Sequence, residues 1–326
     1  MLSLVLIALL FTINSCKNKT ETETTAPELT AAEAKQLAIE SYIFGYSLMS
    51  VDMSSRVITN VAEPTATRAP MGQLVNLREY PTAAYRDVTA PNADTLYSST
   101  FVDVTEEPWI ISWPAMGDRY YVWEFYSAWV PVIFDPGSRT TGQKAQTYAI
   151  TGPNWKGTLP EGVVEQQSPT GLVWILARTY CDGSPKDYAA VHALQDQYKL
   201  TPLSSYGKTY SPPKGKIDTS VDMKMSVRDN VNALDAETYF NRMAQLMVNN
   251  PPRAEDAPMV EKLTKLGVVA GKEFDLSKFP KEISAAIEEG TKEAWQQIVA
   301  YTKNAGEIHN GWTLNMKIGH YGTDYM

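Results

Sequence analysis

Cysteine and histidine are scarce: two and three in 326 residues. A stapled disulfide scaffold needs more cysteines, and a structural zinc site needs several Cys, His or carboxylate ligands at matched spacing. His192, His309 and His320 stand far apart, and neither HExxH nor CxxC occurs. A Ser-His-Asp hydrolase would have to draw on one of these histidines, and its usual GxSxG turn is missing. GxGxxG and GxxxxGK[ST] are missing too, so dinucleotide and P-loop nucleotide binding lose their marks. "NADTLY" has too few oxygens at loop spacing for an EF-hand. No cofactor is expected. Positive charge is also short: the formal net charge is −8, with no long Lys/Arg cluster. Nucleic-acid binding needs a basic face to displace counterions, so that class of partner is set aside. A membrane-crossing helix needs about 20 apolar residues, and the one apolar run, at the N-terminus, is shorter.

That run is "MLSLVLIALLFTINSC". Its length suits the apolar part of a signal peptide. Ile13-Asn14-Ser15-Cys16 resembles a bacterial lipobox, although no Lys or Arg precedes the run. Residues 1–15 are then a leader, and Cys16 carries lipid. The polar stretch "KNKTETETTAPE" makes 16–29 a flexible tether. Acyl chains contribute roughly 0.8 kcal/mol per buried methylene, enough for a stable anchor when several are attached. The expected location is the cell envelope, at the outer rather than the inner membrane. Cys181 is left without a disulfide partner and is expected to be packed.

The chain as a whole has ordinary globular composition, 44% hydrophobic and 20% charged. Thr30-Ala31-Ala32-Glu33 reads as a capping box opening a helix to about residue 57. Leu37, Tyr42, Tyr46, Met49 and Met53 give that helix an apolar stripe. Residues 59–91 hold four prolines and read as loop. Strands are expected at 95–104, 109–113, 119–129, 131–134, 146–151 and 171–179, divided by Gly- and Pro-containing turns. Short strands without helices between them predict an antiparallel sandwich. Ser184-Pro185-Lys186-Asp187 opens a second helix, "DYAAVHALQDQYKL". "SPPKGK" at 211–216 is the expected boundary between a 30–210 unit and a 211–326 helical region, with helices at 235–249, 256–266 and 281–304. Eight Trp and eighteen Tyr supply either core or a stacking surface. The fold class is α+β.

The densest polar stretch is "RDVTAPNADTLYSSTFVDV", residues 86–104. Arg86, Asp87, Asn92, Asp94 and Tyr97 could line a site or build a corner. In the corner reading Pro91 fixes a turn, and Asn92 and Asp94 accept backbone amides where the chain turns into a strand. The strand then turns Leu96, Thr100 and Val102 inward. Arg119 and Arg139, with Asp118 and Glu124, could add to a polar cleft, and paired carboxylates there could act on a glycoside.

The segments "RDVTAPNADTLYSS", "GDRYYVWEFYSAW", "SRTTG", "TGPNWKGTLPEGV", "SPTGLVWILARTY" and "DYAAVHALQDQYKLTPLS" occur in consistent order. Over about residues 35–205 the chain resembles the bacterial "domain of unknown function 1254" family. That resemblance implies an immunoglobulin-like β-sandwich with helices on either side. It also implies a downstream jelly-roll domain (domain of unknown function 1214), to whose lead-in "GHYGTDYM" is similar. The second domain looks absent here, so a separate jelly-roll protein or self-association is an expected partner for an apolar C-terminal end carrying Trp312, Met316, Ile318, Tyr321 and Tyr325. The motif marks that carry over are Arg86, Asp87, Pro91, Asn92, Asp94, Thr95, Leu96, Tyr97, Arg139, Thr140, Thr141 and Gly142, with no reaction attached to them. The functional expectation is a lipid-anchored binding or assembly protein. The alternative is a metal-independent hydrolase of glycans or another small polar substrate.

Overall fold

The computed structural model describes residues 29–83, 92–304, 306–316, 322, 323 and 325. Cys16 with its leader and most of its tether, Arg86, Asp87 and Pro91, and Ile318, His320 and Tyr321 lie outside the described residues.

The first helix, α1, spans Ala31–Ile58 and starts on the expected capping box. Thr30 Oγ1 accepts the Glu33 amide at 3.3 Å, and Glu33 Oε2 accepts the Thr30 amide at 3.0 Å. The sequence predicts one apolar stripe, but Leu37 through Gly45 are nearly all buried. A run of consecutive buried positions means that neighbours cover most of the helix circumference.

Eight strands come next along the chain. They are β1 (Val75–Asn76), β2 (Thr95–Asp103), β3 (Trp109–Trp113), β4 (Tyr121–Ser127), β5 (Val132–Phe134), β6 (Gln146–Thr151), β7 (Val164–Gln167) and β8 (Leu172–Tyr180). Helix α2 (Pro185–Gln195) and strand β9 (Lys199–Pro202) complete this part. One sheet has five antiparallel strands in the order β1-β2-β8-β4-β5. The other has four, β7-β6-β3-β9, and is mixed because β6 and β7 run parallel. The sheets share one core. Val102, Val104, Ile111, Trp113, Trp123, Phe125, Ile150, Val173 and Ile175 pack together in it. Period-2 alternation puts these residues on facing sides, and the even positions of β2 turn inward as expected.

The second helix is shorter than its sequence suggests. It stops at Gln195, and Lys199–Pro202 pairs with β3. Tyr198 and Leu200 are two apart, so as a strand both reach the sandwich core, a gain a continued helix would forgo.

Beyond residue 216 lie α3 (Val227–Asn232), α4 (Ala236–Leu246), α5 (Ala257–Leu266) and α6 (Lys281–Asn304). A small hairpin, β10 (Glu307–His309) with β11 (Trp312–Leu314), stands after them. The C-terminal helices form one core with α1, built on Phe44, Leu48, Met49, Tyr239, Phe240, Met243, Leu263 and Ile287. Sequence position groups α1 with the strands; its packing groups it with α3–α6. Gly290 allows the α1–α6 approach, since a Cβ there would lie 2.6 Å from the Lys35 carbonyl oxygen.

The turn from β4 to β5 joins the two cores. Ala128 and Trp129 leave the sandwich and enter the helical cluster, where the Trp129 ring lies 4.8 Å from Phe44 and its Nε1 donates to the Asn250 carbonyl at 3.1 Å. The next residue, Val130, has φ +81°, a left-handed backbone that β-branched residues rarely adopt. The chain is thus α+β with antiparallel and mixed sheets and helical N- and C-terminal regions.

Candidate functional site

The described part of the polar stretch singled out by the sequence begins at Asn92. The Asn92 Oδ1 accepts from the Asp94 amide at 3.5 Å, the Thr95 amide at 3.4 Å and Thr95 Oγ1 at 3.2 Å. These bonds set the start of β2. Asn92 Nδ2 donates to the Tyr97 hydroxyl at 2.6 Å. The corner is therefore an Asx turn carried by Asn92. Asp94, expected to share that work, is exposed, and its backbone carbonyl accepts the Cys181 amide at 3.0 Å. Cys181 is buried, beside Leu96 and Val191.

A cavity of about 420 Å³ lies against this corner, within the usual range of small-molecule sites. Asn92, Thr95, Leu96 and Tyr97 form one wall, and Leu77, Arg78 and Tyr80 face them from the preceding loop. Ala66 and Thr67 stand at its rim. That loop is tied to α2. The Arg78 guanidinium bonds the His192 carbonyl at 3.2 Å and pairs with Asp196, while the His192 ring meets the Arg78 carbonyl oxygen at 2.7 Å. Buried Gln195 reaches the carbonyls of Leu77 at 3.2 Å and Tyr97 at 3.3 Å. Tyr80 donates its hydroxyl to the Cys181 carbonyl. His192 thus serves as a strut behind the cavity wall.

Arg119 and Arg139 stand elsewhere. Arg119 grips both carboxylate oxygens of Asp187, at 2.6 and 2.9 Å, and the Tyr180 carbonyl at 2.7 Å. Asp187 also accepts the Asp182 amide at 2.8 Å. The Arg119 hydrogen bonds are the main reason the Asp187 carboxyl is held down at a pKa of about 2, with the Asp182 amide adding to them. Arg139 lies 5.4 Å from the centre of the Tyr120 ring, on the surface. Arg119 and Asp187 border a second, more open depression, lined also by Met116, Asp118, Tyr120, Tyr180 and Asp182. Glu124 faces outward on β4 and pairs with Arg178 at 2.8 Å, and that guanidinium lies 5.2 Å from the Tyr97 ring. The acids suggested by sequence therefore split between ion pairs (Glu124) and open surface (Asp94, Asp118) rather than converging as an acid–base couple. Among the described residues, no three His, Cys, Asp or Glu come together as a metal site, and no helix is long and apolar enough to cross a membrane.

The aromatic supply resolves largely as packing. On the outer face of the five-stranded sheet, Trp174 has Phe101 at 5.5 Å on one side and Tyr126 at 5.3 Å on the other. Its faces are occupied, and its Nε1 donates to Ser99 Oγ at 2.9 Å. A sugar ring would need one of those faces free.

Sequence reasoning found the Asn92–Tyr97 wall and missed the opposite one. Leu77, Arg78 and Tyr80 sit in a proline-marked segment read as loop, although Leu74, Val75 and Leu77 hinted at the short edge strand β1.

Residues 71–202 match a family model, "Protein of unknown function (DUF1254)". The chain is similar in fold to the crystal structure of the VPA0106 protein from Vibrio parahaemolyticus, with a TM-score of 0.62 and 22% identity. That match covers 88% of this chain and 63% of the Vibrio chain. A crystal structure of an uncharacterized protein from Burkholderia cenocepacia aligns with 9% identity over 84% of this chain and 60% of its own, with a TM-score of 0.27. No curated protein matches the chain. The Vibrio likeness speaks for the fold alone. Both cavity walls, from Leu77 through Tyr97, fall inside residues 71–202, the segment that matches the family model "Protein of unknown function (DUF1254)".

Proposed function

We propose that this is a binding protein of the bacterial cell envelope, held to the outer membrane by lipid on Cys16, with a small, mostly apolar ligand in the cavity beside Asn92. The cavity carries this reading. It is bounded by a rigid corner on one side and a strutted loop on the other, and its lining mixes Leu77, Leu96 and Tyr80 with a few polar atoms. Such a composition is typical of ligand pockets. In this reading the two sheets act as an immunoglobulin-like sandwich that holds both walls. Engagement of Glu124 and Asp187 by arginines weighs against glycan hydrolysis at this end of the sheet.

A thermal-shift screen tests the binding role, because a ligand that binds only the folded state raises its apparent stability. Ala66→Trp, at the rim, should abolish the shift given by any hit. Hits that persist in Ala66→Trp place the ligand elsewhere. The anchor is tested by fractionation: Cys16→Ser should move the protein from membranes to the soluble fraction, and an unchanged distribution without an acyl adduct counts against it.

A second reading concerns assembly. Ile308, Trp312 and Met316 are 78%, 75% and 92% exposed, an unusual apolar display for one hairpin. Tyr325, expected among them, instead packs edge-on at 4.9 Å against Phe44. A partner seated on the hairpin, either a separate jelly-roll protein or a second copy, would cover these side chains. Trp312→Ser should shift any concentration-dependent sedimentation toward monomer. A wild type that stays monomeric would remove self-association.

A further inference from the structure

We infer that the cavity selects a neutral ligand by a hydrogen-bond acceptor oxygen, such as a carbonyl, using Tyr97 and Asn92 as a paired donor. This deepens the binding role proposed above and rests on it. The Asn92 amide has a fixed orientation. Its Oδ1 takes the Thr95 amide at 3.4 Å and Thr95 Oγ1 at 3.2 Å, both donors, so the Nδ2 end must face Tyr97. Nδ2 then donates to the Tyr97 oxygen at 2.6 Å. That bond fills the acceptor side of the phenol, so the hydroxyl hydrogen points away from Asn92. The Arg178 guanidinium lies over the ring face, 5.2 Å from its centre.

Both residues line the cavity, which is thus offered the Tyr97 hydroxyl hydrogen and the second amide hydrogen of Asn92. Three other polar side chains of the lining are engaged elsewhere. Arg78 is held by His192, Gln195 and Asp196, Tyr80 by the Cys181 carbonyl, and Thr95 Oγ1 by Asn92. Two donors beside the apolar Leu77, Leu96 and Pro81 call for an acceptor. The carboxylate of Glu79 at the same cavity disfavours an anion, which leaves a neutral oxygen as the best match.

Two probes of like shape test this on the purified full chain: acetophenone, which carries a carbonyl, and ethylbenzene, which does not. Affinities are measured by ligand-observed NMR for wild type, Tyr97→Phe and Ala66→Trp. Wild type should favour acetophenone by about three- to tenfold, the worth of one or two net hydrogen bonds. Tyr97→Phe should remove most of that preference while leaving ethylbenzene binding unchanged, and Ala66→Trp should weaken both. Equal binding of the two probes by wild type, with Ala66→Trp weakening both, overturns the donor assignment and leaves the cavity as a site. A preference that survives in Tyr97→Phe also overturns it. Failure of both probes to bind, or binding that ignores Ala66→Trp, refutes the cavity reading and this inference together.

Discussion

Trp129 ties the sandwich to the helical body, and its removal has a calculable effect. The side chain is 2% exposed, its ring touches Phe44, and its Nε1 donates to the Asn250 carbonyl. Truncating a buried Trp to Ala costs about 3–5 kcal/mol, since transfer and cavity terms add. Trp129→Phe keeps most of the packing and loses the donor, so about 1–2 kcal/mol is expected. The position adds a second signature. Trp129 belongs to the helical core but is carried by a sandwich turn, so Trp129→Ala should weaken the helices more than the strands. Urea melts followed at a helical far-ultraviolet wavelength and by near-ultraviolet aromatic signals should coincide in wild type and separate in the variant, the helical signal falling first. A loss below about 1 kcal/mol for Trp129→Ala, with coincident transitions, would refute the claim that this residue couples the two cores.

Other tests are more local. Asn92→Ala should cost about 1 kcal/mol, as lost caps do, whereas Asp94→Ala should stay within about 0.5 kcal/mol because its side chain is exposed; the reverse order in denaturant melts would return the corner to Asp94. Asp187 has its folded pKa lowered to about 2, chiefly by hydrogen bonds from Arg119. Its contribution, about 1–2 kcal/mol after allowance for partial exposure, is then complete above the unfolded value near 4 and lost as pH falls through about 2. The stability gap between wild type and Asp187→Asn should be flat above about pH 5 and close in strong acid; a gap that widens there would contradict the sign. Val130→Gly should raise the melting midpoint by relieving the φ of +81°, by about 1 kcal/mol net of glycine's extra entropy in the unfolded chain. An unchanged or lower midpoint would mean the turn is not strained.

The sequence carried the elements with strong local signals. The Thr30–Glu33 box, the Ser184-Pro185 start of α2 and α6 over 281–304 are all where local chemistry puts them. So is the inward face of β2, because alternation leaves no choice of side. Partners were not legible. The apolar stripe of α1 does not say that its cover lies in α3–α6, and the proline-marked loop does not say that Leu77 and Tyr80 will face Tyr97. β9 was hidden because "QYKLTP" satisfies a helix locally, and only pairing with β3 decides otherwise. At the corner, Asn92 and Asp94 are interchangeable by type. Which one turns inward depends on the hydroxyl of Tyr97, five residues from Asn92 on the strand.

The union of α1 with α3–α6 has a consequence for how the chain is made. α1 ends at Ile58 and its main partner α6 begins at Lys281. At about 5–20 residues per second, a ribosome needs roughly 10–45 s to cover that interval. During it the sandwich strands can find one another, since all of them emerge by residue 202, before α6 begins. The first helix cannot finish its core. Phe44, Leu48 and Met49 must wait, exposed to any hydrophobic surface at hand, and the helical body closes last, from both ends of the described fold. Refolding from denaturant has no such ordering. A variant with α1 moved behind α6 should therefore fold during synthesis with less need for a holding chaperone, while its stability at equilibrium stays close to that of the natural order.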